Sequence, residues 1–130
     1  MDNLYQLTVA GAAEKIKSGE LSAVDLMKSF ISRSNKFNPE LQVWASIDAE
    51  VAIKKAEAAQ KKIEIGKNLG PLEGIPVGVK DIFLTNGIRT SNGSPIYTDF
   101  VPQYDATSVA RLVNAGAILM GKTITTEFAS

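Results

Sequence analysis

Apolar residues recur at helical spacing over the first third of the chain. Thr8 suits the N-cap of a first helix, and Gly19 offers the left-handed backbone that often ends one. Ser22, with Asp25 three residues later, resembles a capping box at the start of a second helix. The apolar stripe of this second helix is formed by Ala23, Leu26, Met27, Phe30, Ile31 and Phe37, and it ends before Pro39. The spacing therefore predicts two consecutive helices that face a core.

Short apolar runs farther along the chain predict strands. Residues 41–47 are typical of a strand, after which Asp48 suits the N-cap of a third, alanine-rich helix. Apolar residues alternate with Pro76 and Gly78 over residues 75–80, and this period of two also predicts a strand. Pro76 lacks an N–H, so the strand belongs at a sheet edge or begins pairing there. Residues 117–120 predict a third, buried strand.

Turn residues separate these elements and predict one long loop. Residues 85–102 carry two Asn-Gly pairs and two prolines without any sustained periodicity, and long ordered loops often build functional sites. Residues 105–107 are expected to cap a fourth helix, which ends at Gly116. Helices alternating with short strands indicate an α/β fold. We expect residues 1–130 to belong to a single domain without an internal boundary.

The composition of the chain limits the catalytic groups, metal ligands and partners that are possible. The chain of 130 residues has 14 basic and 14 acidic side chains, so no global field favours nucleic acid or an anionic membrane. It has no cysteine and no histidine, which removes thiolate nucleophiles, imidazole bases and the usual zinc ligands. We expect no metal and no other cofactor. No leader pattern and no membrane-length apolar stretch is visible, so we expect a cytoplasmic protein.

Lys80 and Asp81 stand where the strand of residues 75–80 ends. A lysine at the end of a buried strand has an apolar wall behind it, and desolvation can lower the pKa of such a group until the neutral amine acts as a base. More often, such a lysine lays its methylenes on the core and keeps its charge in water. The pattern alone leaves both interpretations open.

Residues 116–123 match the phosphate-loop pattern GxxxxGK[ST] letter for letter. A phosphate loop follows a strand, leaves its amides free and opens a helix. Here a helix is predicted before Gly116, and residues 117–120 are predicted to lie in a sheet, with Gly121, Lys122 and Thr123 at the strand exit. We therefore reject a nucleotide-binding function.

Residues 74–81, Gly-Ile-Pro-Val-Gly-Val-Lys-Asp, resemble the lysine motif of the amidase signature family. The resemblance continues through residues 90–95, 105–107, 116–117 and 121–129, and it extends over residues 4–130. It implies the amidase signature fold, a mixed sheet flanked by helices, of which this chain is the incomplete N-terminal portion. It also implies hydrolysis or transfer at a carboxamide, with a small-molecule amide as substrate.

The resemblance implies a serine nucleophile, a second serine in a cis peptide, and a lysine base, to which Lys80 corresponds. In the family both serines lie downstream of the position of Ser130. The remainder of the domain beyond Ser130 is therefore an expected partner, and the isolated chain is expected to be inactive and marginally folded. Asp81 resembles the family's acidic neighbour of the lysine and is expected to position it, although an Asp cap on the following turn is the alternative.

The loop of residues 85–102 is expected to border the substrate, which makes Thr90 and Ser91 substrate-loop candidates. Ser91 or Ser94 could in principle pair with Lys80 as a local nucleophile, but turn chemistry explains these serines better.

Three functions stay open. An amidase is favoured because residues 125–128, Thr-Thr-Glu-Phe, depart from the Met-Asp-Glu-Phe associated with the alternative, the A subunit of the glutamyl/aspartyl-tRNA amidotransferase. That alternative would add tRNA as a partner, whereas otherwise no nucleic acid and no membrane is expected. The third possibility is an inactive fragment or a non-catalytic binding module.

Overall fold

The computed structural model describes residues 3–130, so Met1 and Asp2 of the predicted domain 1–130 lie outside the described residues. Helices and strands alternate along the chain as α1 (Val9–Ser18), α2 (Ala23–Leu41), β1 (Trp44–Ile47), α3 (Ala49–Ile65), β2 (Pro76–Lys80), α4 (Thr107–Asn114) and β3 (Ile118–Thr123). Three short 3-10 turns cover Leu4–Gln6, Pro95–Tyr97 and Glu127–Ala129. The predicted α/β class is confirmed.

Side-chain caps start the first three helices where the sequence predicts them. The Gly11 N–H donates to Thr8 Oγ1 at the start of α1, and Gly19 ends this helix in the left-handed conformation with φ 80°. Ser22 Oγ accepts from two backbone N–H groups of α2, and the Asp48 side chain accepts from the Val51 N–H in α3. These caps satisfy amides that have no partner within the helix.

Helix α2 extends beyond its apolar stripe and passes through Pro39. The helix continues to Leu41, and Gln42 ends it in the left-handed region with φ 50°. Proline has a φ that suits a helix, but it lacks an N–H and its ring crowds the carbonyl four residues earlier, so the helix passes through Pro39 at a cost in stability. The Asn38 side chain then accepts from the N–H groups of Val43 and Trp44 at 2.8 and 3.0 Å. These two hydrogen bonds direct the chain into the strand directly after the helix. Because the helix extends to Leu41, β1 covers only Trp44–Ile47 and is shorter than the predicted 41–47.

The predicted cap of α4 is wrong. Ala106 occupies the N-cap position, and no side-chain hydrogen bond caps this helix. Asp105 Oδ1 instead accepts from the Asn86 N–H at 2.7 Å, across the long loop. The Asp105 carboxylate, which could have capped α4, thus connects the long loop to the start of this helix.

The three strands form one mixed sheet in the order β1-β3-β2. β1 runs antiparallel to β3, and β2 runs parallel to it. Within the part of the chain that the structure describes, β2 has a neighbour on one side only, and Pro76 is its first paired residue, so both positions that the proline allows are met there. β3 continues past residue 120, because Gly121, Lys122 and Thr123 pair with both neighbours, so placing them beyond the strand was wrong.

Helices α2 and α3 cover one face of the sheet. The main buried cluster contains Met27, Ile31, Ala52, Ala56, Ala59, Ile118 and Met120. Small alanine side chains on α3 let this helix approach the sheet closely. A second cluster around Ile16, Leu26 and Ile75 packs α1 and α2 against the chain that enters β2.

The two faces of the sheet receive different side chains because direction alternates along a strand. Ile118, Met120 and Lys122 on β3 are all buried, but the register shifts by one residue between Leu119 and Gly121, so Lys122 does not share the face of Ile118. The register pairs Val79 with Lys122 and Lys80 with Thr123, so Lys80 and Lys122 project from opposite faces of the sheet. This alternation separates the two lysines although their strands are neighbours.

A glycine is required where β1 and β3 come closest. A β-carbon at Gly121 would overlap the Ser46 carbonyl oxygen and lie 3.0 Å from the Trp44 ring. We expect Gly121→Ala to lower the free energy of unfolding by about 1–3 kcal/mol through overpacking. Urea denaturation of the purified protein measures this change. Ser46→Ala, which leaves the facing backbone intact, is the control, and equal midpoints for both variants would contradict the close approach.

Candidate functional site

Lys80 is the last residue of β2, and its side chain is exposed. The apolar enclosure that the sequence led us to expect around this lysine is not supplied by residues 3–130. The residue is nevertheless fixed at its backbone, since the N–H of the following residue, Asp81, donates to the Thr123 carbonyl at 2.9 Å. Lys80 thus presents an exposed side chain from an ordered strand end.

The lysine that the chain buries is Lys122, with a relative exposure of 1%. Its Nζ donates to the Phe83 carbonyl at 2.9 Å and to Thr90 Oγ1 at 2.8 Å, and it lies 3.4 Å from Asp81 Oδ1. Three acceptor atoms thus surround an ammonium group that has three donors. Lys122 was missed because the phosphate-loop pattern was dismissed as a whole. Its place directly after the apolar run of residues 117–120 was the signal that it could belong to the same buried strand.

Asp81 lies next to Lys122 with only 2% of its surface exposed. Its Oδ2 accepts from the Ser91 N–H at 3.2 Å and from the Ser91 hydroxyl in a short hydrogen bond. Its Oδ1 has no hydrogen-bond partner among the described residues and faces the Lys122 ammonium. Its carbonyl accepts from the Asn92 N–H at 2.9 Å. One residue therefore joins the ends of β2 and β3 to the long loop.

Thr90 and Ser91, the two substrate-loop candidates, have buried side chains. Thr90 Oγ1 donates to the Ile88 carbonyl at 3.2 Å while it accepts from Lys122. Ser91 Oγ accepts from the Gly93 N–H at 3.2 Å. Both hydroxyls are thus engaged within the protein, and their contact with a substrate stays a prediction.

The loop is closed by the last residues of the chain. Ser94 Oγ donates to Glu127 Oε1 at 2.7 Å, and the Phe128 N–H donates to the Asn92 carbonyl at 2.8 Å. Gly93 is required here, because its φ is +66° and a β-carbon would lie 2.8 Å from the Thr125 carbonyl oxygen. The turn of residues 91–94 is therefore held from both sides.

A shallow depression of about 360 Å³ lies over this turn. It is lined by Ala45, Asp81, Arg89, Ser91, Gly93, Ser94, Pro95, Thr98, Ile124 and Thr125. A larger groove of about 660 Å³ lies along α2 near Tyr5 and Arg33, away from both lysines. The smaller depression is the better candidate for a site, because Asp81 and Ser91, which the sequence singled out, line it.

Burial lowers the pKa of Lys122 below its ordinary value of 10.5, while the Asp81 carboxylate opposes this shift by favouring the charged ammonium. Among residues 3–130, no group of three or more acidic side chains is placed to hold a metal ion. No helix within the same range combines the length and apolarity that a bilayer crossing requires.

Comparisons of this chain with family models and with known proteins agree on one family. A family model described as Amidase matches residues 25–130. The A subunit of the glutamyl-tRNA(Gln) amidotransferase of Chloroflexus aggregans is 40% identical over 99% of this chain, and that of Prochlorococcus marinus is 42% identical over 95%. The chain spans only about a quarter of these relatives, 26% and 25% of their lengths.

Solved structures of amidases share the fold. The peptide amidase from Stenotrophomonas maltophilia superposes with a TM-score of 0.89 at 30% identity, over 98% of this chain and 26% of that chain. A fatty acid amide hydrolase gives a TM-score of 0.89 at 25% identity, over 94% of this chain and 22% of that chain. The predicted mixed sheet with flanking helices is thereby confirmed.

The buried lysine predicts a pH dependence of stability. Above its lowered native pKa and below 10.5, Lys122 has released a proton in the native state that the unfolded state still holds. Stability rises with pH wherever the unfolded state binds more protons. We therefore expect wild type to gain stability relative to Lys122→Met as pH rises through this window. Urea denaturation of both proteins between neutral pH and 10.5 measures the difference, and a difference that falls with pH would contradict it.

Proposed function

This chain belongs to the amidase signature family, and from that membership we propose that it carries the lysine of an enzyme acting on the carbon–nitrogen bond of a carboxamide. The observation that carries the proposal is the position of Lys80, which is exposed at the end of β2 beside the anchored Asp81. A proton acceptor must reach groups outside its own strand, and an exposed amine on a fixed backbone does so.

In the proposed reaction Lys80 acts as the general base. A serine hydroxyl is a weak nucleophile at neutral pH, so the amine draws its proton through the hydroxyl of a bridging second serine. The serine oxygen attacks the amide carbon, the proton returns to the leaving amine, and a second acceptor, such as water, later cleaves the acyl enzyme. We propose that both serines, and the enclosure that keeps the amine neutral, come from residues outside these 130.

Asp81 is proposed to position Lys80 and not to transfer protons. Its carboxylate is buried, accepts two hydrogen bonds from Ser91 and faces Lys122, so its oxygens are engaged within the protein. Thr90 and Ser91 support the same arrangement from the loop. We propose that the loop borders the substrate through the depression over residues 91–94, which Ser91 lines.

The A subunit of an amidotransferase is the second candidate. It is favoured by the names of the relatives that are 40% and 42% identical to this chain. The departure at Thr125 and Thr126, which favours an amidase, leaves the contacts of the next two residues intact, since Glu127 accepts from Ser94 and the Phe128 N–H donates to Asn92. We retain amide hydrolysis as the first proposal because the solved neighbours with this fold include a peptide amidase and a fatty acid amide hydrolase.

Replacement of Lys80 tests the proposed base. In the full-length protein, Lys80→Ala should lower the acylation rate by about 100-fold to 10,000-fold, the usual contribution of base catalysis. Lys80→Arg should fail as well, because arginine stays protonated at accessible pH. Lys67→Ala, which changes an exposed lysine in the connection after α3, is the matched control and should keep full turnover. Near-normal turnover by Lys80→Arg would exclude the proposed role.

Two substrates separate the candidate functions. If the full-length protein is an amidase, it should release ammonia from simple amides without tRNA. If it belongs to an amidotransferase, it should act with its partner subunits on misacylated tRNA when glutamine is supplied. The isolated 130-residue chain should do neither, because the proposed nucleophile is absent from it. Ammonia release by the isolated chain would contradict the proposed mechanism, and no turnover under any of these conditions would favour a non-catalytic module.

A further inference from the structure

Lys122 is a buried charge that the proposed reaction does not use. Lys122 has 1% exposure and the paired Asp81 has 2%, so both charged groups are removed from water. Burial of an ion pair costs desolvation free energy, and apolar replacements of such pairs are often neutral or stabilising. Stability alone therefore does not account for a lysine at this position.

The contacts of Lys122 suggest a more specific role. Its Nζ meets three separate parts of the segment that follows Lys80, namely the Asp81 carboxylate, the Phe83 carbonyl and the Thr90 hydroxyl. These atoms belong to a segment that leaves β2 and folds back over Lys122. The ammonium group of Lys122 thus holds the segment after β2 at three points.

Asp81 links these contacts of Lys122 to Lys80 on the other face of the sheet. Because side chains alternate, Asp81 turns toward Lys122 while Lys80 projects from the other face. The Asp81 carboxylate also accepts from the N–H and hydroxyl of Ser91, at the start of the turn of residues 91–94. Rotation of Asp81 would change both the direction of Lys80 and the position of that turn.

We infer that Lys122 is a positioning residue for Lys80, acting through the carboxylate of Asp81, and that it sets the turn of residues 91–94 at the same time. The inference rests on the proposed function of Lys80. The buried pair would keep the Lys80 amine in the position that the reaction needs, because a small displacement of a reacting group lowers the reaction rate strongly.

Four variants of the full-length protein test this role. Lys122→Met removes the ammonium and keeps a flexible side chain of similar length, Asp81→Asn removes the carboxylate charge at nearly constant size, and a double variant combines them. Lys62→Met is the matched control, because Lys62 also pairs with a buried carboxylate, that of Glu73 at 2.6 Å, away from Lys80.

We expect each of the two site variants to lower kcat by about 10-fold to 100-fold, with a smaller change in KM. The double variant should lose about as much as one single variant, because both changes break the same contact. Lys62→Met should keep wild-type kcat. Wild-type kcat in folded Lys122→Met would overturn the inference, and so would losses in the double variant that multiply.

Hydrogen exchange gives a readout that does not depend on turnover. Lys122→Met should speed exchange of the Ser91 and Asn92 amides, which donate to Asp81, and leave the Ile118 amide in β3 unchanged. Uniform or unchanged exchange would indicate a merely structural role and overturn the inference. If Lys122→Met does not fold, Asp81→Asn and Thr90→Val, which removes one acceptor of Lys122, replace it in both measurements.

Lys80→Ala, measured in parallel, separates the two proposals. Full turnover by Lys80→Ala would show that the proposed base is wrong. An inactive Lys80→Ala beside a fully active Lys122→Met would show that only the positioning role is wrong.

Discussion

The ion pair between Lys122 and Asp81 is the constraint on which the candidate site depends. Two opposite charges lie together in the interior, and each is connected by hydrogen bonds to a different part of the chain. Removal of one partner would leave an uncompensated buried charge, which costs far more than the pair gains. The loop after β2 therefore has one arrangement in which both charges are satisfied.

The mixed sheet makes this pair possible. Because β2 and β3 are parallel, their carboxyl ends reach the same edge of the sheet, and Lys80, Asp81 and Lys122 arrive there together. An antiparallel β2 would bring its first residue, Pro76, to that edge instead. Helices α2 and α3 pack against Ile118 and Met120, and the loop after β2 covers Lys122. The topology, more than any single motif, brings the polar side chains to one place.

Local signals predicted most of the elements, and the misses have a shared cause. The caps at Thr8, Ser22 and Asp48 depend on residues a few positions away, which the sequence displays directly. Asp105 was misassigned because its partner, Asn86, is distant in sequence. Lys122 was missed for the same reason, since Asp81, Phe83 and Thr90 approach it only after β2 and β3 have paired. The resemblance identified Lys80, but the exposure of this lysine depends on the alternation across the folded sheet.

The sequence distance between Asp81 and Lys122 also orders events during synthesis. The ribosome releases the motif lysine before α4 and β3 exist, and at that stage the Asp81 carboxylate has no cation and β2 has no neighbouring strand. Long-range pairing of this kind forms late, because the entropy of loop closure is lost before the new contacts can stabilise the paired strands. The nascent chain therefore carries Lys80 on an unfixed segment until residue 123 has left the exit tunnel, and the contacts between Asp81 and Lys122 form only after β3 has emerged.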